Sequence, residues 1–140
     1  FMMLKRFVLL IDDDPVLIYI VEQQFKKQLP CDELLSFQSA DEALDYLRNP
    51  LSTLPDLILL DINMPDKNGW DFLEIINDGS WDITRVPKVA ILSSSVDPLD
   101  HTKSEKFSNV VSFLTKPLNL DTLKTILNNS TTEEVSQSLG

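Results

Sequence analysis

Runs of consecutive apolar residues alternate along this chain with stretches in which apolar residues recur every three or four positions. The first run, "RFVLLI" (6–11), is rich in strand formers. In "PVLIYIVEQQFKKQL" (15–29), Leu17, Val21 and Phe25 are spaced by four, with Asp14 as N-cap and Pro15 at the first helical position. "ELLSF" (33–37) reads as a short strand, and "SADEALDYL" (39–47) as a helix opened by Ser39 and Glu42 at capping-box spacing. "DLILL" (56–60) is a second strongly apolar run. "GWDFLEIIN" (69–77) predicts a helix with Phe72, Leu73 and Ile76 inward, and "KVAIL" (88–92) a strand. "DPLDHTKSEKF" (97–107) is a weakly amphipathic helix begun by Asp-Pro. "VVSFL" (110–114) and "NLDTLKTILNN" (119–129) supply the last strand and helix. The polar remainder, 130–140, reads as a tail that is disordered or partly vector-derived.

The order is strand then helix, five times over. Continuous rather than alternating apolar strands imply a parallel sheet covered by helices on both faces. The expectation is one α/β domain over 1–129: a flavodoxin-like, doubly wound, five-stranded parallel sheet of order 2-1-3-4-5. A (β/α)₈ barrel would need about 200 residues or more, and the chain has 140.

Charge narrows the partners. A net charge of −10 argues against nucleic acid or an anionic membrane as a direct partner. No apolar run approaches the ~20 residues of a membrane span. The start, "FMMLKRFVLLIDDD", has too short an apolar stretch for a signal peptide and ends in three aspartates. Phe1 ahead of Met2 reads as a vector remnant. Cys31 is the one cysteine, so there is no disulfide framework, and a cytoplasmic setting is expected.

In such a sheet, ligands bind beyond the carboxyl ends of the strands. After the first strand come Asp12, Asp13 and Asp14; after the third, Asp61 and then Asn63. After the fourth come Ser93, Ser94 and Ser95, and after the fifth Thr115, Lys116 and Pro117. Singly these are ordinary residues: a helix cap at Asp14, a turn at Ser94, a Lys-Pro surface turn. Together they bring carboxylates, a hydroxyl and an ammonium to one rim. Two carboxylates ~5 Å apart at an effective dielectric of ~20 repel by roughly 3 kcal/mol. A hard divalent cation removes that cost, and Mg²⁺ favours one or two carboxylates, waters and a phosphate oxygen. A carboxylate beside a metal, a lysine and a hydroxyl is arranged to accept a phosphoryl group.

"VLLIDDDP", "LLDINMPDKNG", "ILSSS" and "FLTKPL" together resemble the receiver domain of two-component response regulators, from about Lys5 to about Asn128. The resemblance implies Asp61 as phosphoacceptor. It implies Mg²⁺ held by Asp13 directly, Asp12 through water, Asp61 and the Asn63 carbonyl. Ser93 and Lys116 would contact the phosphoryl group, with Pro117 following as a residue the family often has in cis. Ser93 and Phe113 match the conformational switch, and Phe113 has no hydroxyl, so switching must rest on packing. Asn63 and Ser95 match positions that tune dephosphorylation. The implied donor is a phosphohistidine on a histidine kinase or histidine phosphotransfer protein. The implied output is docking of an unnamed target, or a homodimer, on the face of the fourth helix, fifth strand and fifth helix. No DNA-binding or enzyme module follows Asn129, so a stand-alone receiver without enzymatic turnover is expected.

Three rival readings are weaker. Asp12 and Asp14 imitate the D-x-D of haloacid dehalogenase-type phosphatases, but Pro15-Val16 stands where that family has Gly-Thr. A flavodoxin-like cofactor binder would need a hydroxyl- or glycine-rich loop where this chain has three aspartates. A degenerate receiver would lack part of the acidic set or the lysine. His101, the only histidine, is expected on the surface, and Trp70 and Trp81 are expected to pack partly in the core. Gly69 tolerates positive φ, which would fit a tight turn there, and an ordinary loop is equally compatible with the sequence.

Overall fold

The computed structural model describes residues 5–79, 86–95 and 97–139, with side chains through 129. Trp81 and Phe1 lie outside the described residues. Five strands form one parallel sheet of order β2-β1-β3-β4-β5: β1 (Phe7–Ile11), β2 (Glu33–Phe37), β3 (Leu57–Asp61), β4 (Val89–Ser93) and β5 (Val110–Thr115). The helices between and after them are α1 (Pro15–Gln28), α2 (Ala40–Arg48), α3 (Gly69–Asn77), α4 (Pro98–Ser104) and α5 (Leu120–Leu139). This is the expected doubly wound order.

Period-two alternation divides the core into two layers. Leu9, Ile11, Ile58, Leu60, Val89 and Ile91 face α2 and α3. Val8, Leu10, Leu57, Leu59, Ala90 and Leu92 face α1 and α5. Every residue of β1, β3 and β4 is buried, because both faces are covered; the edge strands β2 and β5 are only partly so. No described helix is long and apolar enough to cross a membrane.

The helix starts follow local chemistry. Asp14 and Asp97 cap α1 and α4 by accepting from Val16 N and Leu99 N, each ahead of a proline in the first turn. Ser39 caps α2 by accepting from Glu42 N. The reciprocal capping box falls instead on α3, between Asn68 and Asp71.

Three details differ from the sequence reading. Helix α4 ends at Ser104, its only buried residue, so apolar contact does little to extend it. Helix α5 runs from Leu120 to Leu139, beyond the helix read over 119–129. Neither proline nor glycine stands between Leu120 and Gly140, so nothing there breaks the helical repeat. In β5 the register slips at Val111: Val89 faces Val110, but Ala90 faces Ser112. This bulge shifts the parity, so that Val110 and Phe113, three apart, both pack on the α2–α3 side while Leu114 packs on the other.

Candidate functional site

The strand register builds the site. Ile11 is opposite Leu60, so Asp12 follows β1 beside Asp61, the last residue of β3. Asp61 is opposite Leu92, so Ser93 ends β4 one step beyond. Ser93 is opposite Thr115, so Lys116 follows on the far side. Parallel strands in this register bring all four strand ends to one rim.

Asp12 is fully buried and Asp61 nearly so, at 0% and 2% exposure, and Ser93 is fully buried. Asp13 is half-buried; Asn63 and Ser95 are exposed. Each buried carboxylate folds the following turn around one of its oxygens. Asp12 Oδ1 accepts from Asp14 N, and Asp61 Oδ1 accepts from Asn63 N, both at 2.9 Å. The other oxygens face Lys116, whose Nζ is 2.9 Å from Asp12 Oδ2 and 3.5 Å from Asp61 Oδ2. Ser93 Oγ accepts from Ser95 N at 3.1 Å, and Lys116 N donates to Ser93 O at 2.7 Å. The Lys116–Pro117 peptide bond is cis.

The site is electrostatically crowded. Oxygens of Asp12, Asp13 and Asp61 lie within 4.8 Å of one another. Burial pushes the Asp61 carboxyl up to about 6; Asp12 and Asp13 add to the rise, while the Asn63 amide and Lys116 oppose it. For Lys116, burial works to lower the ammonium, but its contacts with Asp12 and Asp61 outweigh that and raise it. Asp12 Oδ2 has the Lys116 ammonium as an ion-pair neighbour but meets no donor at hydrogen-bonding angles. A fully buried carboxylate oxygen without a directed donor, amid two further carboxylates, is a donor set that suits a hard, oxygen-seeking cation such as Mg²⁺.

Gly69 does not adopt positive φ; that conformation falls on Asp66 and Gly79. A Cβ at Gly69 would lie 2.7 Å from Ile62 Cα and 2.8 Å from Asp61 O. The glycine is needed because α3 starts directly against the backbone that carries Asp61. Asp66 takes the left-handed conformation, and Lys67 Nζ ties the same loop to Asp41 Oδ1 on α2 at 2.6 Å.

Phe113 is half-buried and packs on the α2–α3 side of the sheet. Its ring stacks on that of His101, with centroids 5.0 Å apart and planes 26° apart. His101 is exposed, as expected, but sequence reasoning missed this contact. The only signal was a histidine on α4 and a phenylalanine on β5, with nothing to align them. Trp70 is buried, at 8% exposure, and stacks on Phe107.

The chain matches the family model for the response regulator receiver domain over residues 8–128. It is 30% identical over 122 residues to response regulator Rcp1 of Synechocystis, covering 84% of this chain and 81% of Rcp1. Among solved structures, a two-component response regulator from Cytophaga hutchinsonii superposes with a TM-score of 0.80 at 29% identity, covering 91% of this chain and 98% of that one. The phosphorylated cyanobacterial phytochrome response regulator RcpA gives 0.71 at 28% identity, covering 98% and 97%. The Mn²⁺-bound form of Rcp1 gives 0.69 at 28% identity, covering 89% and 90%. The chain spans 41% of the length of an uncharacterized response regulatory protein of Staphylococcus epidermidis that it also matches. It therefore belongs to the receiver-domain family of two-component response regulators.

Proposed function

We propose that Asp61 accepts a phosphoryl group from a phosphohistidine on a histidine kinase or histidine phosphotransfer protein, and that the phosphorylated chain signals by docking a partner. The observation that carries this reading is the cluster itself: a strand-terminal Asp61 flanked by two further carboxylates and faced by one ammonium. The reading draws support from RcpA, whose solved form is phosphorylated, and from Rcp1, whose solved form holds Mn²⁺.

In the transfer, an Asp61 oxygen attacks phosphorus, a P–O bond forms and the P–N bond of the phosphohistidine breaks. The departing imidazole keeps the electron pair and takes a proton from solvent. Asp12, Asp13, Asp61 and the Asn63 carbonyl would hold Mg²⁺, which when bound offsets the charge on the phosphoryl oxygens. Lys116, already pointed at Asp61, pairs with a phosphoryl oxygen. Ser93 donates its hydroxyl proton to another, giving up its contact with Ser95 N. Phe113, on the sheet face that Ser93 shares by strand parity, turns toward the space released. The β5 surface and α4 repack, a shift between two packings rather than a new fold. Water attack on the acyl phosphate resets the chain, with the exposed Asn63 and Ser95 tuning its approach. These roles fit a cytoplasmic signalling module rather than an enzyme with turnover, and the α4–β5–α5 face is the expected surface for a target or a second copy.

The test is Asp61→Asn. Incubated with a phosphohistidine donor and Mg²⁺, the unsubstituted chain should take up one phosphoryl group and the variant none. Full labelling of Asp61→Asn would assign the acceptor elsewhere.

A further inference from the structure

Helix α4 is short, and aromatic contacts meet it at both ends. At its C-terminal end, Lys103 Nζ lies 4.9 Å from the centre of the Trp70 ring, and Phe107 just beyond stacks on the same tryptophan. Nearer its start, His101 stacks on Phe113 of the sheet. Ser104, the one buried residue of the helix, satisfies its hydroxyl within α4 by donating to His101 O at 2.6 Å. The two rings therefore link α4 to β5.

This has a consequence for Phe113. A phenylalanine has no hydroxyl to anchor it at the surface, so its half-buried position depends on what covers its ring. His101 covers it, in a near-parallel arrangement at a separation typical of favourable ring pairs. Any inward turn of Phe113 must break that stack, and breaking it loosens α4.

We infer that His101 is a positioning residue: its imidazole, stacked on Phe113, holds that ring outward and sets how readily it turns toward Ser93. The inference rests on the reading of Ser93 and Phe113 as a switch. It adds a residue outside that pair which fixes the resting balance, and makes α4 respond to the ring through a side-chain stack.

The experiment is solution NMR on the full chain with ring-labelled phenylalanine, Phe113 being assigned through Phe113→Leu. The χ1 populations of Phe113 are read before any phosphoryl donor is added, in the unsubstituted chain, His101→Ala and His101→Phe. Loss of a ring pair predicts that His101→Ala raises the ratio of inward to outward rotamer roughly two- to tenfold. His101→Phe, which keeps a flat ring over Phe113, should restore the original ratio, a rescue that a merely space-filling role does not require. Equal ratios in all three proteins, or a shift in His101→Phe as large as in His101→Ala, would overturn the inference. Intact mass after donor and Mg²⁺ are added to the same samples reports Asp61 separately. If no chain is labelled, the phosphoacceptor reading fails while the rotamer ratios still decide the role of His101.

Discussion

Lys116 stands closer to Asp12 than to Asp61: its ammonium is 2.9 Å from the fully buried Asp12 carboxylate and 3.5 Å from Asp61. In this state the lysine mainly compensates the more deeply buried anion. Asp61 is left with one backbone donor and a more distant cation, in keeping with a carboxyl held up near 6. On the proposed function, a cation entering the cluster or a phosphoryl group formed on Asp61 would change that division and draw Lys116 across the pocket.

Removing the lysine exposes the underlying repulsion. Lys116→Met should destabilise the metal-free protein by about 1–3 kcal/mol, less than for a fully buried pair because the ammonium is partly solvated. Added Mg²⁺ should recover part of the loss by supplying the missing positive charge, and it should not recover a simple packing defect. Urea midpoints with and without Mg²⁺ measure both effects.

The Asp61 carboxyl makes stability depend on pH with a definite sign. Its ordinary value is 3.8 and its folded value about 6, so between these limits the folded chain binds more protons than the unfolded one. This contribution to stability is therefore present in acid, falls as pH rises from about 4 to about 6, and is lost above that. Its size is about 1–2 kcal/mol, reduced from the full linkage value because water and Lys116 screen the site. Asp61→Asn should flatten this fall, and the asparagine variant should exceed the unsubstituted chain in stability at pH 7. Chemical denaturation at a series of pH values gives the slope; an unchanged slope in Asp61→Asn would assign it to other groups.

Gly69 transmits packing to the site. Gly69→Ala places a Cβ within 2.7 Å of Ile62 Cα and 2.8 Å of Asp61 O, both backbone atoms that no rotamer change can move. The expected cost is about 1–3 kcal/mol. Because the displaced backbone carries Asp61, the proposed acceptor, phosphoryl labelling should slow as well. Comparing urea unfolding with labelling rate separates the two: a stable Gly69→Ala chain that labels at the ordinary rate would show that the close approach is unimportant.

Much of this was legible beforehand, for physical reasons. Leu57 to Leu60 form an unbroken apolar run because both faces of β3 are covered, and that continuity indicates a parallel sheet. Once the sheet is parallel, Asp12, Asp61, Ser93 and Lys116 share a rim by topology alone, whatever their side chains do. What was not legible depends on register or on contacts between separate elements. The bulge at Val111 leaves no mark in "VVSFL", yet it decides which face Phe113 joins. The stack of His101 on Phe113 requires α4 and β5 to be placed first. A glycine at position 69 suggests a tight turn or an ordinary loop, and neither reading discloses the Ile62 and Asp61 backbone packed against it.

If the Asp12–Asp13–Asp61 cluster needs a divalent cation before Asp61 can be phosphorylated, acetyl phosphate should modify the unsubstituted chain in Mg²⁺ and not in a chelator. Intact mass followed by mapping of the modified peptide should give one added phosphoryl group in Mg²⁺, on Asp61, and none in the chelator. Equal labelling without the metal, or a phosphoryl group on another residue, would refute this role of the cluster.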